Sequence, residues 1–157
     1  MSWGDLGLWF TARLFPFLPR SLLKRIYPQP KLIRLVNILV TGPGPNFSIQ
    51  SGLRLALNGM AFAISNALPF KIDLESIQIE VSIDCYRFGG FRDSEKRIIE
   101  PGLSTINLSW DISDNQAAMV KVANPKSMLN INGTADFNTS FSSFKCGIGG
   151  QTQFFSI

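Results

Sequence analysis

The sequence IQIEVSID, residues 77–84, alternates apolar and polar side chains without a break and decides the fold class. The same alternation returns in INLSWDIS, residues 106–113, and in LNINGTADFN, residues 129–138. A repeat of two residues places one row of side chains in water and the other in a core, which is typical of antiparallel strands. Two such sheets cover each other's apolar faces when they stack. The three stretches therefore predict an all-β protein built as an antiparallel β-sandwich.

Apolar runs and turn residues predict strands before the first of these stretches. We expect a first strand over residues 31–41, followed by a turn rich in glycine and proline. A long central strand is expected over residues 53–65, with a bulge or a close approach of another backbone at Gly59. The chain should then turn and return over residues 71–84, beside the long strand.

The C-terminal half predicts one helix and a last pair of strands. Residues 114–123 are expected to form the one short helix of the sandwich, with Asp114 as its cap and Asn124-Pro125 as its end. The last strand pair is expected over residues 127–138 and 151–157, joined by a connection rich in serine and glycine.

The composition fits a single globular domain whose basic charge is concentrated near the N-terminus. The chain has 157 residues, of which 45% are hydrophobic and 17% charged, and a net charge of +4. Residues 1–34 hold six basic residues and one acidic residue, whereas residues 35–157 hold nine and ten. A nucleic-acid-binding domain needs a basic face that releases counterions. We therefore expect no nucleic-acid partner for the nearly neutral body.

Residues 1–30 are predicted to form an amphipathic N-terminal arm, separate from a domain over residues 31–157. Large apolar side chains recur in the arm at helical spacing. Pro16 and Pro19 interrupt that helix, and Ser21 is expected to cap a second short helix over residues 22–27. The arm lacks the order of a signal peptide and the length of a spanning helix.

Three environments could receive the apolar side chains of the arm: an anionic membrane surface, a neighbouring protein subunit, or the domain itself. On a membrane, the aromatic rings would insert and the cations would meet lipid phosphates. The residues predicted to bind the membrane or a partner are Trp3, Trp9, Phe10, Arg13, Phe15, Phe17, Arg20, Lys24 and Arg25.

The residues that usually carry catalysis or bind metals are missing or scattered. The chain has no histidine, which is the commonest general base and metal ligand. We therefore expect no enzyme activity, no catalytic or metal site, and no cofactor. Cys85 and Cys146 are either unrelated thiols or a disulfide. Met60, Phe62 and Trp110 are either core residues or the lining of a site for an apolar ligand.

Several short motifs resemble a known family. They are AFAISN at residues 61–66, LPF at 68–70, IQIEV at 77–81, Gly89, and IEPGLST at 99–105. Together they resemble the group-two late embryogenesis abundant proteins, which carry the water-stress-and-hypersensitive-response (WHy) domain.

The resemblance covers residues 31–157, and Ala67 departs from it because the family places proline there. It implies a fibronectin type III-like sandwich with a helix at one end, acting in stress protection or binding without catalysis. Some relatives carry an N-terminal membrane anchor. The matching residues are structural, so no site residue is carried over.

These observations lead to two functional hypotheses. The first is a non-catalytic binding or protective module, cytoplasmic and peripheral to a membrane, tethered by its arm. The alternative is a structural or assembly subunit of a larger complex or virion, in which the arm docks onto a neighbouring subunit and the chain forms oligomers.

Overall fold

A computed structural model describes residues 17–41, 46–50, 54–83, 86–112 and 128–153 of the chain. The predicted helix over residues 114–123 lies outside these ranges. The described elements are α1 (Arg20–Ile26), α2 (Gln29–Leu35), β1 (Val36–Thr41), β2 (Asn46–Gln50), β3 (Arg54–Asn66), β4 (Ile72–Ile83), β5 (Tyr86–Asp93), β6 (Arg97–Ile99), β7 (Gly102–Ile112), β8 (Met128–Asn138) and β9 (Ser143–Gln153).

The strands form two antiparallel sheets. In sheet A, the central strand β3 pairs along one edge with β1 and β2 and along the other with β7. In sheet B, β4 pairs with β8 on one side and with β5 and β6 on the other, and β9 extends the sheet beyond β8. Buried side chains from both sheets and both helices form one core, an arrangement of the β-sandwich type.

The alternating stretches behave as predicted. Ile77, Ile79 and Val81 of β4 are fully buried, and their polar neighbours Gln78 and Glu80 are exposed. Among the residues of the other two strands whose burial is described, Ile106 and Leu108 in β7 and Ile131, Ala135 and Phe137 in β8 are buried. The register of β3 also shifts between Leu57 and Met60, which confirms the first of the two alternatives for Gly59, a bulge.

The predicted pairing of the long strand with its return strand is wrong. β3 belongs to sheet A and β4 to sheet B, so residues 67–71 carry the chain from one sheet to the other. A sheet change lets both strands bury one face in the same core, as Phe62 and Ile64 do from β3 and Leu74 and Ile77 from β4. Met60 and Phe62 are accordingly core residues.

The predicted first strand begins too early. Residues 31–35 belong to α2, and β1 begins only at Val36. Pro28 is the N-cap residue of α2, and Pro30 lies in its first turn. Proline is preorganised for a helix start, because its backbone φ is fixed and no intrahelical partner exists there for the missing N–H.

The last strand is longer than predicted. Residues expected to connect two strands form most of β9. This strand pairs with β8 over its whole length, from Ser143 opposite Asn138 to Gln153 opposite Met128. Phe144, Cys146 and Ile148 alternate into the core, and this burial outweighs the low strand preference of the intervening glycines.

Cys146 is a free, buried thiol whose Sγ donates to the Val36 carbonyl oxygen at 3.6 Å. Burial raises the pKa of this thiol from 9.0 to about 11. Above pH 9 the unfolded chain ionises Cys146 while the folded protein keeps it protonated. The stability contributed by the protonated thiol is therefore complete below pH 9 and lost as the pH rises to about 11.

We expect the free energy of unfolding to fall by up to about 2–3 kcal/mol between pH 9 and 11 because of Cys146. Urea unfolding at several pH values, with Cys146→Ala as the reference, isolates this contribution from other titrating groups. A variant with the same alkaline loss as the unaltered protein would contradict the prediction.

Candidate membrane-binding surface

A proline precedes each of the two short helices of residues 17–35. Pro19 and Pro28 are the N-cap residues of α1 and α2, both with extended backbone and neither with a side-chain cap. The prediction that Ser21 caps a helix over residues 22–27 is wrong, because that helix, α1, begins at Arg20 and Ser21 lies inside it. Each helix ends after seven residues.

One side of this helical segment is fixed to the sandwich. Leu23 of α1 and Leu32 of α2 are buried in the common core. Tyr27, between the helices, makes an edge-to-face contact with Phe70, with ring centroids 5.3 Å apart. Phe70 in turn contacts Phe141, so Tyr27 joins the connections at residues 67–71 and 139–142. Part of the predicted arm therefore packs on the domain itself, and the expected boundary after residue 30 falls inside α2.

The other side of the segment exposes apolar side chains. Phe17 is 83% exposed, and Leu22, Ile26 and Ile33 are 40–44% exposed. Leu22 and Ile26 are four residues apart and therefore neighbours on one face of α1. Amphipathic helices that lie at a membrane interface present such side chains beside cations.

Cations surround these apolar residues without any acidic neighbour in sequence. Residues 17–41 contain Arg20, Lys24, Arg25, Lys31 and Arg34 and no aspartate or glutamate. Lys31 donates to the Ile26 carbonyl oxygen at 3.1 Å and lies over the Tyr27 ring, 4.7 Å from its centroid. The other four cations form no ion pair with a carboxylate among the described residues.

The charges of sheet B are arranged differently, because most of its described carboxylates are paired, Asp73 being an exception. Glu80 pairs with Arg87, Glu75 with Lys96 and Asp136 with Lys145, while Asp93 and Glu95 share Arg97. The hydrogen bond and charge of Lys96 hold the pKa of Glu75 below its usual value. The same hydrogen bond and charge, from Glu75, raise the pKa of Lys96. Sheet B therefore offers few unpaired charges to a charged surface.

A groove of about 550 Å³ lies between α2 and sheet B. Gln29 and Ile33 of α2 line it together with residues of β4, β8 and β9, and Gln29 donates to the Ser143 carbonyl oxygen at 2.9 Å. Its carboxylates, Glu75 and Asp136, are the ones already paired with lysines. No cluster of metal-ligating side chains occurs in the described part of the chain.

Four of the nine predicted binding residues can be placed in the structure. Phe17, Arg20, Lys24 and Arg25 are all exposed on or beside α1. Trp3, Trp9, Phe10, Arg13 and Phe15 lie outside the described residues. The nine assignments therefore stay predictions, now with a described surface around four of them.

The sequence interpretation missed five residues of this surface. Leu22 and Ile26 lie on α1, beside the predicted cations Lys24 and Arg25. Lys31, Ile33 and Arg34 join the surface because residues 29–35 form α2, not the first part of a strand. The signal that could have found α2 is the pair Pro28 and Pro30, which together mark a helix start.

Neither helix can span a bilayer. Each has seven residues, about 10 Å of helix, whereas the hydrocarbon core is about 30 Å thick. No other helix in the described ranges meets the requirement either.

Known proteins resemble this chain in fold alone. No protein-family model and no curated protein sequence matches it. A protein from Archaeoglobus fulgidus is similar in structure with a TM-score of 0.51 and 8% identity, over 78% of this chain and 95% of that one. A structural-genomics target is similar with a TM-score of 0.55 and 12% identity, over 80% and 89%.

A candidate late embryogenesis abundant protein is also among the structural neighbours. Its TM-score is 0.45 at 11% identity, over 99% of this chain and 92% of that one. This score is too low to carry an argument. The Archaeoglobus fulgidus protein and the structural-genomics target support the two-sheet β fold, and at this identity they say nothing about function.

Proposed function

We propose that this chain is a non-catalytic, fibronectin type III-like sandwich related to the WHy-domain proteins, and that it binds an anionic membrane surface through its N-terminal arm. One observation supports this most directly: the segment over residues 17–35 is anchored in the core on one side and presents apolar side chains and cations on the other. Anionic lipids are concentrated in cytoplasmic leaflets, which favours a peripheral location on that side.

The anchored geometry favours binding because the helices are already ordered. Leu23 and Leu32 hold α1 and α2 on the sandwich, so binding does not have to fold the segment. Phe17, Leu22 and Ile26 would then enter the interface between headgroups and acyl chains. Lys24 and Arg25 would lie among lipid phosphates, where each cation contributes about 1 kcal/mol.

Vesicle co-sedimentation of the full chain tests this proposal. We expect binding to anionic vesicles and not to zwitterionic ones, with release at high salt, because screening weakens attraction between exposed charges. Replacing Arg25 by glutamate removes one attraction and adds one repulsion, about 2 kcal/mol, so Arg25→Glu should bind about 30-fold more weakly. Arg92→Glu is the matched control, because Arg92 is exposed on β5 and has no described carboxylate partner.

The apolar contribution has its own matched pair. Ile26→Ser should weaken vesicle binding, whereas Ile98→Ser should not, because Ile98 is 59% exposed on β6, at the opposite edge of sheet B from β9. Equal effects of the two substitutions would contradict an interface at α1. Binding of neither vesicle type, with large oligomers that Ile26→Ser disperses, would favour the assembly-subunit function instead.

A further inference from the structure

The chain contains two Asn-Gly pairs, and the fold places them in different backbone environments. Asn58 and Gly59 lie in β3, and Asn132 and Gly133 lie in β8. Their chemistry is the same, because the residue after each asparagine is glycine. The strand registers distinguish the two pairs.

The pair in β8 is held in an unbroken ladder on both edges of its strand. Asn132 lies opposite Glu80 of β4 and Gly149 of β9. Gly133 is likewise paired with both neighbouring strands. Backbone held in this way in the middle of a sheet opens rarely.

The pair in β3 coincides with the bulge of that strand. The register with β7 shifts between Leu57 and Met60. Asn58 and Gly59 therefore oppose one residue of β7, Ser109, where an unbroken ladder would have two. The ladder is interrupted at this pair.

Gly59 also falls between two strands on the other edge of β3. The register with β2 ends at Asn58, and the register with β1 begins at Ala61. Within the described ranges, Gly59 is therefore in register with a residue on neither edge. The peptide unit between Asn58 and Gly59 is less constrained than its counterpart in β8.

Deamidation of an Asn-Gly pair needs a change of backbone conformation. The glycine nitrogen attacks the side-chain amide carbon of asparagine and forms a C–N bond, and the amide group leaves with the glycine proton as ammonia. Water then opens the resulting succinimide ring at either carbonyl carbon and yields aspartate or isoaspartate. Glycine favours the attack, because no Cβ atom hinders its nitrogen. The ring cannot close while the asparagine ψ stays near the roughly +135° of an antiparallel strand.

We propose that Asn58 is a site of spontaneous deamidation in the folded protein and that Asn132 is protected from it. The rotation that closes the ring has to break a continuous ladder at Asn132. It costs less in the bulge, where the ladder is already interrupted. Water is the co-reactant. The product carries one negative charge more than the native residue, and isoaspartate also adds one CH₂ group to the backbone of β3.

The added backbone carbon would act on β2 in particular. This strand pairs with β3 from Asn46 opposite Asn58 to Gln50 opposite Arg54, and with no other described strand. A longer backbone at residue 58 displaces residues 54–57 along β2 and breaks the register of the pair. Deamidation should therefore loosen β2 before the rest of sheet A.

Peptide mass spectrometry of the full chain, incubated at mildly alkaline pH, tests the proposal. The mass change from amide to acid is followed at both asparagines in the same sample. In the folded protein, Asn58 should convert at least about tenfold faster than Asn132. In guanidinium chloride the two should convert at similar rates, because the fold causes the difference.

Three results would overturn the proposal: equal rates in the folded protein, no conversion of either asparagine there, or a difference that persists in the unfolded chain. Asn58→Gln is the matched variant for the effect on β2, because glutamine closes the corresponding larger ring far more slowly. Hydrogen exchange at residues 46–50 should rise during incubation of the unaltered protein and stay constant in this variant. An equal rise in both would contradict the effect on β2. Asn58→Ser replaces the variant if circular dichroism shows that Asn58→Gln does not fold.

Discussion

Gly133→Ala should lower the free energy of unfolding by more than about 4 kcal/mol or prevent folding altogether. A Cβ atom at residue 133 would lie 2.2 Å from the Gln78 carbonyl oxygen and 2.8 Å from the Ile79 Cα atom. Both atoms belong to the backbone of β4, which is held between β8 on one side and β5 and β6 on the other. Overpacking against mobile side chains costs about 1–3 kcal/mol, and a rigid backbone should cost more.

Urea unfolding followed by circular dichroism measures this loss, and the next strand offers the matched control. A Cβ atom at residue 147, in β9, would have no heavy atom from another part of the chain within 4 Å. Gly147→Ala should therefore unfold at nearly the same urea concentration as the unaltered protein, or slightly higher, since alanine restricts the unfolded chain. If Gly133→Ala unfolds like Gly147→Ala, the close approach of β8 to β4 is not required for stability.

Asn66→Ala should cost at least about 3 kcal/mol, because one buried amide satisfies three backbone groups. Asn66 is 1% exposed at the end of β3. Its Nδ2 donates to the carbonyl oxygens of Phe70 at 3.1 Å and Ile99 at 3.2 Å, and its Oδ1 accepts from the Leu68 N–H at 3.1 Å. Alanine would leave all three groups without this partner, at about 1–3 kcal/mol for each buried group.

The measurement is again equilibrium unfolding, with Asn132→Ala as the control, because Asn132 is exposed on β8. We expect less than about 0.5 kcal/mol for the control, as for most surface substitutions. A loss below about 1 kcal/mol for Asn66→Ala would mean that water or a backbone shift replaces the three hydrogen bonds.

The sequence predicted the strands that are buried on one face only. In β4, β7 and β8, apolar and polar residues such as Ile77 and Gln78 alternate, which indicates that one face of the strand lies in the core and the other in water. Strand pairing was harder to predict from the sequence, because a short connection such as residues 67–71 can close a hairpin or cross between sheets. Residue patterns give no distance between β3 and β4, so the sheet change appeared only in the structure.

Short elements with mixed patterns were the other source of error. In residues 31–36 the buried side chains are Leu32 and Val36, four positions apart, which fits a helix turn. They are also an even number apart, which fits a strand face, so only the neighbouring prolines decide. For the candidate surface, the sequence located the cations. It could not say that Leu23 is buried while Leu22 is half-exposed, because a helix of seven residues has no clear periodicity.

The contact between Cys146 and Val36 sets an order of events during synthesis. The two residues are 110 positions apart, yet the thiol of β9 reaches the backbone of β1. A ribosome that adds about 5–20 residues per second needs roughly 5–20 s to make the chain between them. For that time Val36 and Ile38, both core residues, wait without the strand that covers them. The core around β1 is therefore completed only after β9 has been synthesised.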